Sequence, residues 1–386
     1  MNVARKVFAP KDGNVHDCLE QIAPTIEKVL GEKLENIIEI KKVYGSNAGN
    51  FILETRLKNT SSKKYFLKFT NRRLSAELEG IRFLQNKLPV PHIIASSNDA
   101  NLKWILTEYI EGELMAERYL NAKSENAFKF FCKCEIKKED MLARLYGRPA
   151  KNLEYEAYIE LYANQLFHQR LFGERYSSFY RNDRRNIARY FNRTFLINGR
   201  HFPYTINQVV ENIRGKYSLA QSKIVRCYPG HGDAHHGNII LNGNKINFID
   251  NEYAGFIPPF MELAKPYYND FIGTLFFHHQ KELEEYFPLK FSASSNGILA
   301  FSGLKFKKIS HAIKITNIKL QKRKKWINGN TDDFLSLNDY LVLCHMLTKN
   351  PNNYGSRAQL IFLLFIVLLT EFDPLQPESL YSILSA

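Results

Sequence analysis

His231-Gly232-Asp233-Ala234-His235-His236-Gly237-Asn238, followed by Asn247-Phe248-Ile249-Asp250, sets two carboxylates and an amide at short spacings between apolar runs. Phosphoryl transfer needs such a set: one carboxylate to orient a hydroxyl and accept its proton, and an amide and a second carboxylate to hold Mg²⁺ against the phosphates of ATP. Ile239-Ile240-Leu241 and Ile246-Asn247-Phe248-Ile249 flank an Asn-Gly-containing turn and read as a β-hairpin. That hairpin brings Asn238 and Asp250 side by side, and an oxygen pair of this kind suits Mg²⁺, which takes few protein ligands. A lone Asp-Gly or Asn-Gly would read as a turn; three polar functions together with a hairpin favour a site. His231 and His235 have the i,i+4 spacing of a metal pair, but Gly230, Gly232 and Gly237 oppose a helix there. His231 is therefore assigned to backbone hydrogen bonding that props the loop.

Upstream of this segment the chain reads as a small α+β lobe. Residues 14–35 have helical periodicity through Cys18, Ile22, Ile26 and Leu30. Phe51 to Leu57 and Tyr65-Phe66-Leu67-Lys68-Phe69 read as paired strands, residues 74–88 as a helix ended by Pro89-Val90-Pro91, and Trp104 to Ile110 as a further strand. From Gly112 to about residue 220 the pattern is mainly helical, and after about residue 261 it is helical with loops. Residues 180–193 read as a helix with Arg181, Arg185 and Arg189 on one face.

The chain has 386 residues, is 45% hydrophobic and 24% charged, and carries a formal net charge of +14. That composition is globular. The positive charge permits contact with nucleic acid, anionic lipid surfaces or anionic small molecules, and counts against an acidic pocket for a cation. Five cysteines in so long a chain argue against a disulfide framework and for a reducing compartment. Cys132-Lys133-Cys134 has no second pair and is not read as a zinc site. The first 13 residues lack the apolar stretch of a secretory signal, and the apolar run Leu360–Leu369 is too short to span a bilayer, so it reads as a buried helix and the protein as cytoplasmic.

The loop resembles the catalytic loop of the aminoglycoside phosphotransferase and choline kinase-like superfamily of small-molecule kinases. The shared pattern is His-Gly-Asp, an Asn five residues later, and Ile-Asp after a hairpin; His236 stands where that family usually has Pro. The resemblance implies a bilobal protein-kinase-like α+β fold. Residues 1–111 would form a nucleotide-binding lobe with an antiparallel sheet plus helix. Residues 112–386 would form a larger, mainly helical lobe for catalysis and acceptor binding. It also implies ATP and Mg²⁺ as cofactors, Asp233 as catalytic base, and Asn238 and Asp250 as metal ligands.

Such a fold requires a phosphate-anchoring lysine, a glutamate to hold it and a loop over the phosphates. Lys68, on a strand among Phe66, Leu67 and Phe69, fits the first role. Glu77 and Glu79 lie on different faces of the next helix, so at most one meets Lys68; the spacing of Glu77 to Pro89-Val90-Pro91 resembles the family's, which selects Glu77. Gly45, Ser46 and Gly49 lie between two strands upstream of Lys68, where a phosphate-covering loop belongs. The stretch holding Glu108 and Ile110 resembles the hinge whose backbone pairs with adenine. Glu262 is read as structural; Lys265, Tyr267 and Tyr268 follow closely enough to face the substrate, with core packing the preferred role. The partner expected is a small-molecule hydroxyl acceptor, with transient contact to an anionic membrane surface allowed and no obligate protein partner evident.

The arginine stripe favours a neutral or anionic acceptor, such as a sugar or phosphorylated metabolite. A rival reading is a non-catalytic binder of nucleic acid or anionic surfaces on a kinase-like scaffold. It would draw on the stripe and on Lys322-Arg323-Lys324-Lys325, but it has no need of the base and metal set. Nucleic acid is accordingly disfavoured. A protein kinase ranks lower, because His231-Gly232-Asp233 lacks the Arg of His-Arg-Asp and no Ala-Pro-Glu follows Asp250.

Overall fold

The computed structural model describes residues 15–40, 49–56, 62–69, 74–98, 103–180, 187–219, 223–277, 290–293, 298–302, 310–328 and 334–380. The chain divides into two compact units. Unit 1 is Met1–Leu114 together with Asn238–Ala254, and unit 2 is Met115–Gly237 together with Gly255–Ala386.

Unit 1 is built on a five-stranded sheet, β1 (Leu34–Glu39), β2 (Gly49–Arg56), β3 (Ser62–Phe69), β4 (Ile93–Asn98) and β5 (Lys103–Glu108), in the order β1-β2-β3-β5-β4. Every pairing is antiparallel. Strand alternation sends successive side chains to opposite faces. Tyr65, Leu67 and Phe69 of β3 join Phe51, Leu53, Trp104 and Leu106 against Leu19, Ile22 and Ile26 of helix α1 (Val15–Leu30). A second cluster joins Ile105 of the sheet to Leu78 and Ile81 of α2 (Leu74–Leu84). Lys68 is out of step with Leu67 and Phe69, so it points away from the α1 face.

Helix α1 ends at Leu30 rather than continuing to residue 35. Gly31 follows at φ 66, the left-handed conformation that commonly closes a helix. The β-branched pair Ile37-Ile38 then favours the strand β1. Unit 1 also holds a three-stranded sheet in which the hairpin Ile239–Asn242/Lys245–Phe248 adds Glu113–Leu114 as its third strand.

Unit 2 is largely helical. Helix α3 (Glu125–Tyr146) starts at Ser124, whose hydroxyl accepts the Ala127 N–H at 3.2 Å, and packs against α6 (Ser310–Asn328). Short α4 (His168–Phe172), α5 (Pro259–Tyr267), α7 (Leu337–Thr348) and α8 (Ser356–Glu371) complete the frame used below; α6 lies between α5 and α7 in the chain. The apolar run at Leu360–Leu369 lies in α8, where Ile361 to Leu369 are all buried, and no described helix is long and apolar enough to cross a membrane.

The C-terminal part is mainly helical as expected, with short strands interspersed. Lys151–Glu154, Ile224–Gly230 and Gly255–Ile257 form one small sheet, and Thr194–Ile197, Arg200–Phe202, Lys290–Ala293 and Ile298–Ser302 form another. The helix expected over 180–193 is not found among the described residues: a short helix ends at Phe179 and Ile187–Tyr190 is one 3-10 turn carrying Arg189. Arg181 and Arg185 lie outside the described residues.

Candidate active site

Lys68, Glu77, Asn238 and Asp250 all belong to unit 1. Lys68 Nζ donates to Glu77 Oε2 and to Asp250 Oδ1, each at 2.8 Å. The other Glu77 oxygen accepts the Asn251 N–H at 3.1 Å. One carboxylate thus ties β3 to the turn that follows the hairpin. Glu77 is buried and Glu79 is exposed, so Glu77 is the one that meets Lys68. Close approach makes this possible: a Cβ on Gly80, one turn along α2, would lie 1.8 Å from the Asn251 carbonyl oxygen. Burial works to lower the Lys68 pKa, but Asp250 and then Glu77 outweigh it and hold the ammonium well above its ordinary range.

Asp250 has φ 57, a left-handed conformation rare outside glycine and best tolerated by Asp and Asn. Its side chain is 41% exposed. Asn238 is buried, and its carbonyl accepts the Ile249 N–H at 3.0 Å across the mouth of the hairpin. Hairpin register, with Ile239 opposite Phe248, therefore sets Asn238 and Asp250 at neighbouring chain positions. Amide and carboxylate oxygens on such a frame suit a hard divalent cation. Glu252, which the sequence reading passed over, lies half-buried two residues on; burial first and the Asp250 charge second raise its pKa. Among the described residues no three His, Cys, Asp or Glu gather as a metal-holding cluster.

Glu108 closes β5, and its carboxylate accepts the His92 N–H at 3.1 Å, bracing the start of β4. Ile110 follows the strand and its backbone makes no hydrogen bond among the described residues. Gly49 opens β2 opposite Phe69. Gly45 and Ser46 lie outside the described residues.

Asp233 belongs to unit 2, on the loop after the strand Ile224–Gly230. Gly232 has φ 83, which lets the chain turn sharply ahead of Asp233. Glu262 of α5 holds this turn from beneath: its carboxylate accepts Gly232 N–H at 2.5 Å, His231 N–H at 3.2 Å and the Tyr146 hydroxyl at 2.7 Å. Burial raises the Glu262 pKa against the lowering pull of Arg323 and these donors. His231 Nδ1 accepts the Asp233 N–H at 3.3 Å, so this histidine braces the loop.

His236 is fastened to a buried charge network that sequence reasoning missed. Its N–H donates to Asp270 Oδ1 at 2.9 Å, and its Nε2 lies 2.8 Å from Glu135 Oε2. An ionised carboxylate only accepts, which assigns the ring proton to Nε2. Lys319 bridges Glu135 and Asp270; Lys138 contacts Glu135 at 3.0 Å and Glu139 at 3.2 Å; Arg323 donates to Glu139 at 2.7 Å. Three anions thus face three cations, all buried. Balance leaves His236 no charge to neutralise, and burial lowers its pKa. Burial alone would raise Glu135, but Lys138 and Lys319 bring it well below the usual carboxylate range.

The network also revises the basic run Lys322–Lys325. Arg323 points inward at 3% exposure, and Lys322 pairs with Asp140 at 2.6 Å. The signal was present as helical spacing: Glu135, Lys138 and Glu139 on α3, and Lys319 and Arg323 on α6, each fall on one face.

No protein-family model matches the chain, and no curated protein does. Its structure is similar to that of a choline/ethanolamine kinase family protein from Mesorhizobium loti, with TM-score 0.49 and 12% identity over 97% of this chain and 100% of that one. It is also similar to an amicoumacin kinase solved with AMP-PNP and calcium, with TM-score 0.48 and 14% identity over 94% and 98% of the two chains. An aminoglycoside-3'-phosphotransferase of type VIII follows, with TM-score 0.45 and 14% identity over 86% and 97%. These neighbours cover most of the chain at low identity.

Proposed function

We propose that the chain is an ATP-dependent phosphotransferase that moves the γ-phosphate to a hydroxyl of a small molecule, with a neutral or anionic sugar or metabolite as acceptor. The observation that carries the reading is Lys68 held by Glu77 and Asp250 at 2.8 Å each. A lysine fixed between two carboxylates from distant parts of the sequence is costly as packing and useful as a phosphate anchor. Lys68 would bind the nucleotide phosphates, Glu77 would orient Lys68, and Asn238 and Asp250 would hold Mg²⁺. When bound, the metal would neutralise charge on the transferring phosphoryl group.

Asp233 would orient the acceptor hydroxyl and take its proton. The acceptor oxygen forms its bond to the γ-phosphorus as the bond to the departing ADP oxygen breaks, and the hydroxyl proton passes to the Asp233 carboxylate. Glu262 and His231 keep this carboxylate in place through the backbone hydrogen bonds of the loop. Nucleic-acid binding loses support because Arg323 of the basic run is buried and paired.

The test is ADP release from Mg·ATP in the presence of sugars, amino acids and amino alcohols, with Asp233→Ala as control. Acceptor-dependent release that Asp233→Ala abolishes supports the reading. Full activity in Asp233→Ala would overturn the base assignment. Absence of both nucleotide binding and turnover would overturn the reading as a whole.

A further inference from the structure

Unit 2 contains one buried cation of a different kind. Lys138, Lys319 and Arg323 are each matched by an acid within the network. Lys265, in α5, is 5% exposed and makes no hydrogen bond or ion pair among the described residues. Its Nζ is not one of the fully buried unpartnered atoms, so the stem is covered while the ammonium stays open to an anion that reaches it.

Its place in the helix indicates where the charge belongs. Lys265 comes three residues after Glu262, so the two share a face of α5. Glu262 carries the backbone of His231 and Gly232, immediately before Asp233. Helix α7 packs against both α5 and α4, and its Cys344 is buried. Burial pushes the Cys344 thiol up to about 12, and the charges it senses are those of Lys265, Asp233 and Arg170. Arg170, on α4, is half-buried and likewise has no ion pair among the described residues. Two unmatched cations and the proposed base therefore share one neighbourhood of unit 2.

We propose that Lys265, assisted by Arg170, is the specificity determinant of this site and binds an anionic group, a phosphate or carboxylate, on the acceptor whose hydroxyl Asp233 deprotonates. This rests on the phosphotransferase reading for the reaction and on Lys265 itself for the substrate class. The acceptor is then a hydroxy acid or a phosphorylated polyol or sugar, the opposite charge class to choline or an aminoglycoside.

The experiment compares ADP release from Mg·ATP by the full chain with glycerol 3-phosphate and glucose 6-phosphate, with glycerate and gluconate, with glycerol and glucose, and with choline and glucosamine. At least one anionic acceptor should show a kcat/KM about tenfold or more above its neutral counterpart. The phosphate and carboxylate arms identify which anion is read. Lys265→Met should raise KM for that acceptor about tenfold, move KM for ATP less than about twofold, and be partly rescued by Lys265→Arg. Arg170→Gln, at a half-buried position, carries the same test should Lys265→Met fold poorly. Preference for a neutral or cationic acceptor would overturn the inference and leave the kinase reading standing. So would calorimetry showing no binding of any anionic probe, or an equal loss with every acceptor in Lys265→Met. Lys265-dependent binding of an anion by a chain that binds no Mg·ATP would keep the anion site and dismiss phosphotransfer.

Discussion

Unit 1 and unit 2 each assemble lysines with carboxylates, and they do so to different ends. Around Lys68 the set is small and open: one lysine meets two carboxylates, and Asp250 keeps 41% of its side chain exposed. Around Lys319 the set is closed: Glu135, Glu139 and Asp270 face Lys138, Lys319 and Arg323 with almost no exposure. Open charges can exchange partners with a ligand; closed ones are neutralised by each other and fix the packing of α3 on α6. The difference teaches that charge density alone does not mark a site. Exposure and an incomplete match do.

The closed set should give the largest effect. Lys319→Met leaves Glu135 and Asp270 facing one cation fewer, and should cost about 3–5 kcal/mol in denaturant unfolding. Joint replacement Lys319→Met with Glu135→Leu should recover part of that loss. A loss below about 1 kcal/mol in the single variant would break the distinction between the two sets.

The open set should answer differently. Lys68→Met should lower turnover by about 10²–10³-fold while shifting unfolding free energy by less than about 1 kcal/mol, because the pair is partly solvated. Stability and activity measured on the same preparation separate the two outcomes.

Acid should dismantle unit 2 before it affects an open pair. His345 accepts the Tyr268 hydroxyl at Nδ1 and donates Nε2–H to the Phe362 carbonyl, and burial lowers its pKa from 6.5 to about 3. The unfolded chain therefore binds the extra proton first, so stability is full above about pH 6.5 and falls steadily as the pH drops towards about 3. Glu135, Glu139 and Asp270 also have lowered folded values, so their contribution is present above the usual carboxylate range and is lost as the pH falls through those values. Glu262, raised by burial, works in the opposite direction. His345→Gln should flatten the slope between about pH 6.5 and 4 in thermal melts. The smallest effect belongs to an exposed pair: Arg200→Ala, which removes the 3.0 Å bridge to Glu371, should change stability by no more than about 1 kcal/mol.

Much of the open set was legible because its parts are local. Strand alternation, the helix after Lys68 and the Asn238-to-Asp250 hairpin each occupy short stretches, and the family resemblance selects Lys68, Glu77, Asn238 and Asp250 on them. The closed set was not legible as a set. Helical spacing puts the charges of α3 on one face and those of α6 on another, but Glu135 and Lys319 are separated by 184 positions, and nothing local announces that the two faces meet. The strand Leu34–Glu39 escaped because helical periodicity ran on past Gly31, and the strands paired with Ile224–Gly230 and those of the other small sheet because three- to five-residue strands carry too little pattern. His236, read only as a change of loop shape, is the link between the Asp233 loop and the network.

The membership of Asn238–Ala254 in unit 1 has a consequence for biosynthesis. Strands β1 to β5 emerge early and can pair as soon as Glu108 clears the ribosome. The third strand Glu113–Leu114 must wait for Ile240 and Leu241. At about 5–20 residues per second that delay is about 6–25 s. During it the nascent chain carries a preformed sheet whose Lys68 has met Glu77 but not Asp250. Unit 1 is thus completed in two instalments, with the whole of unit 2's first segment, Met115–Gly237, threaded between them.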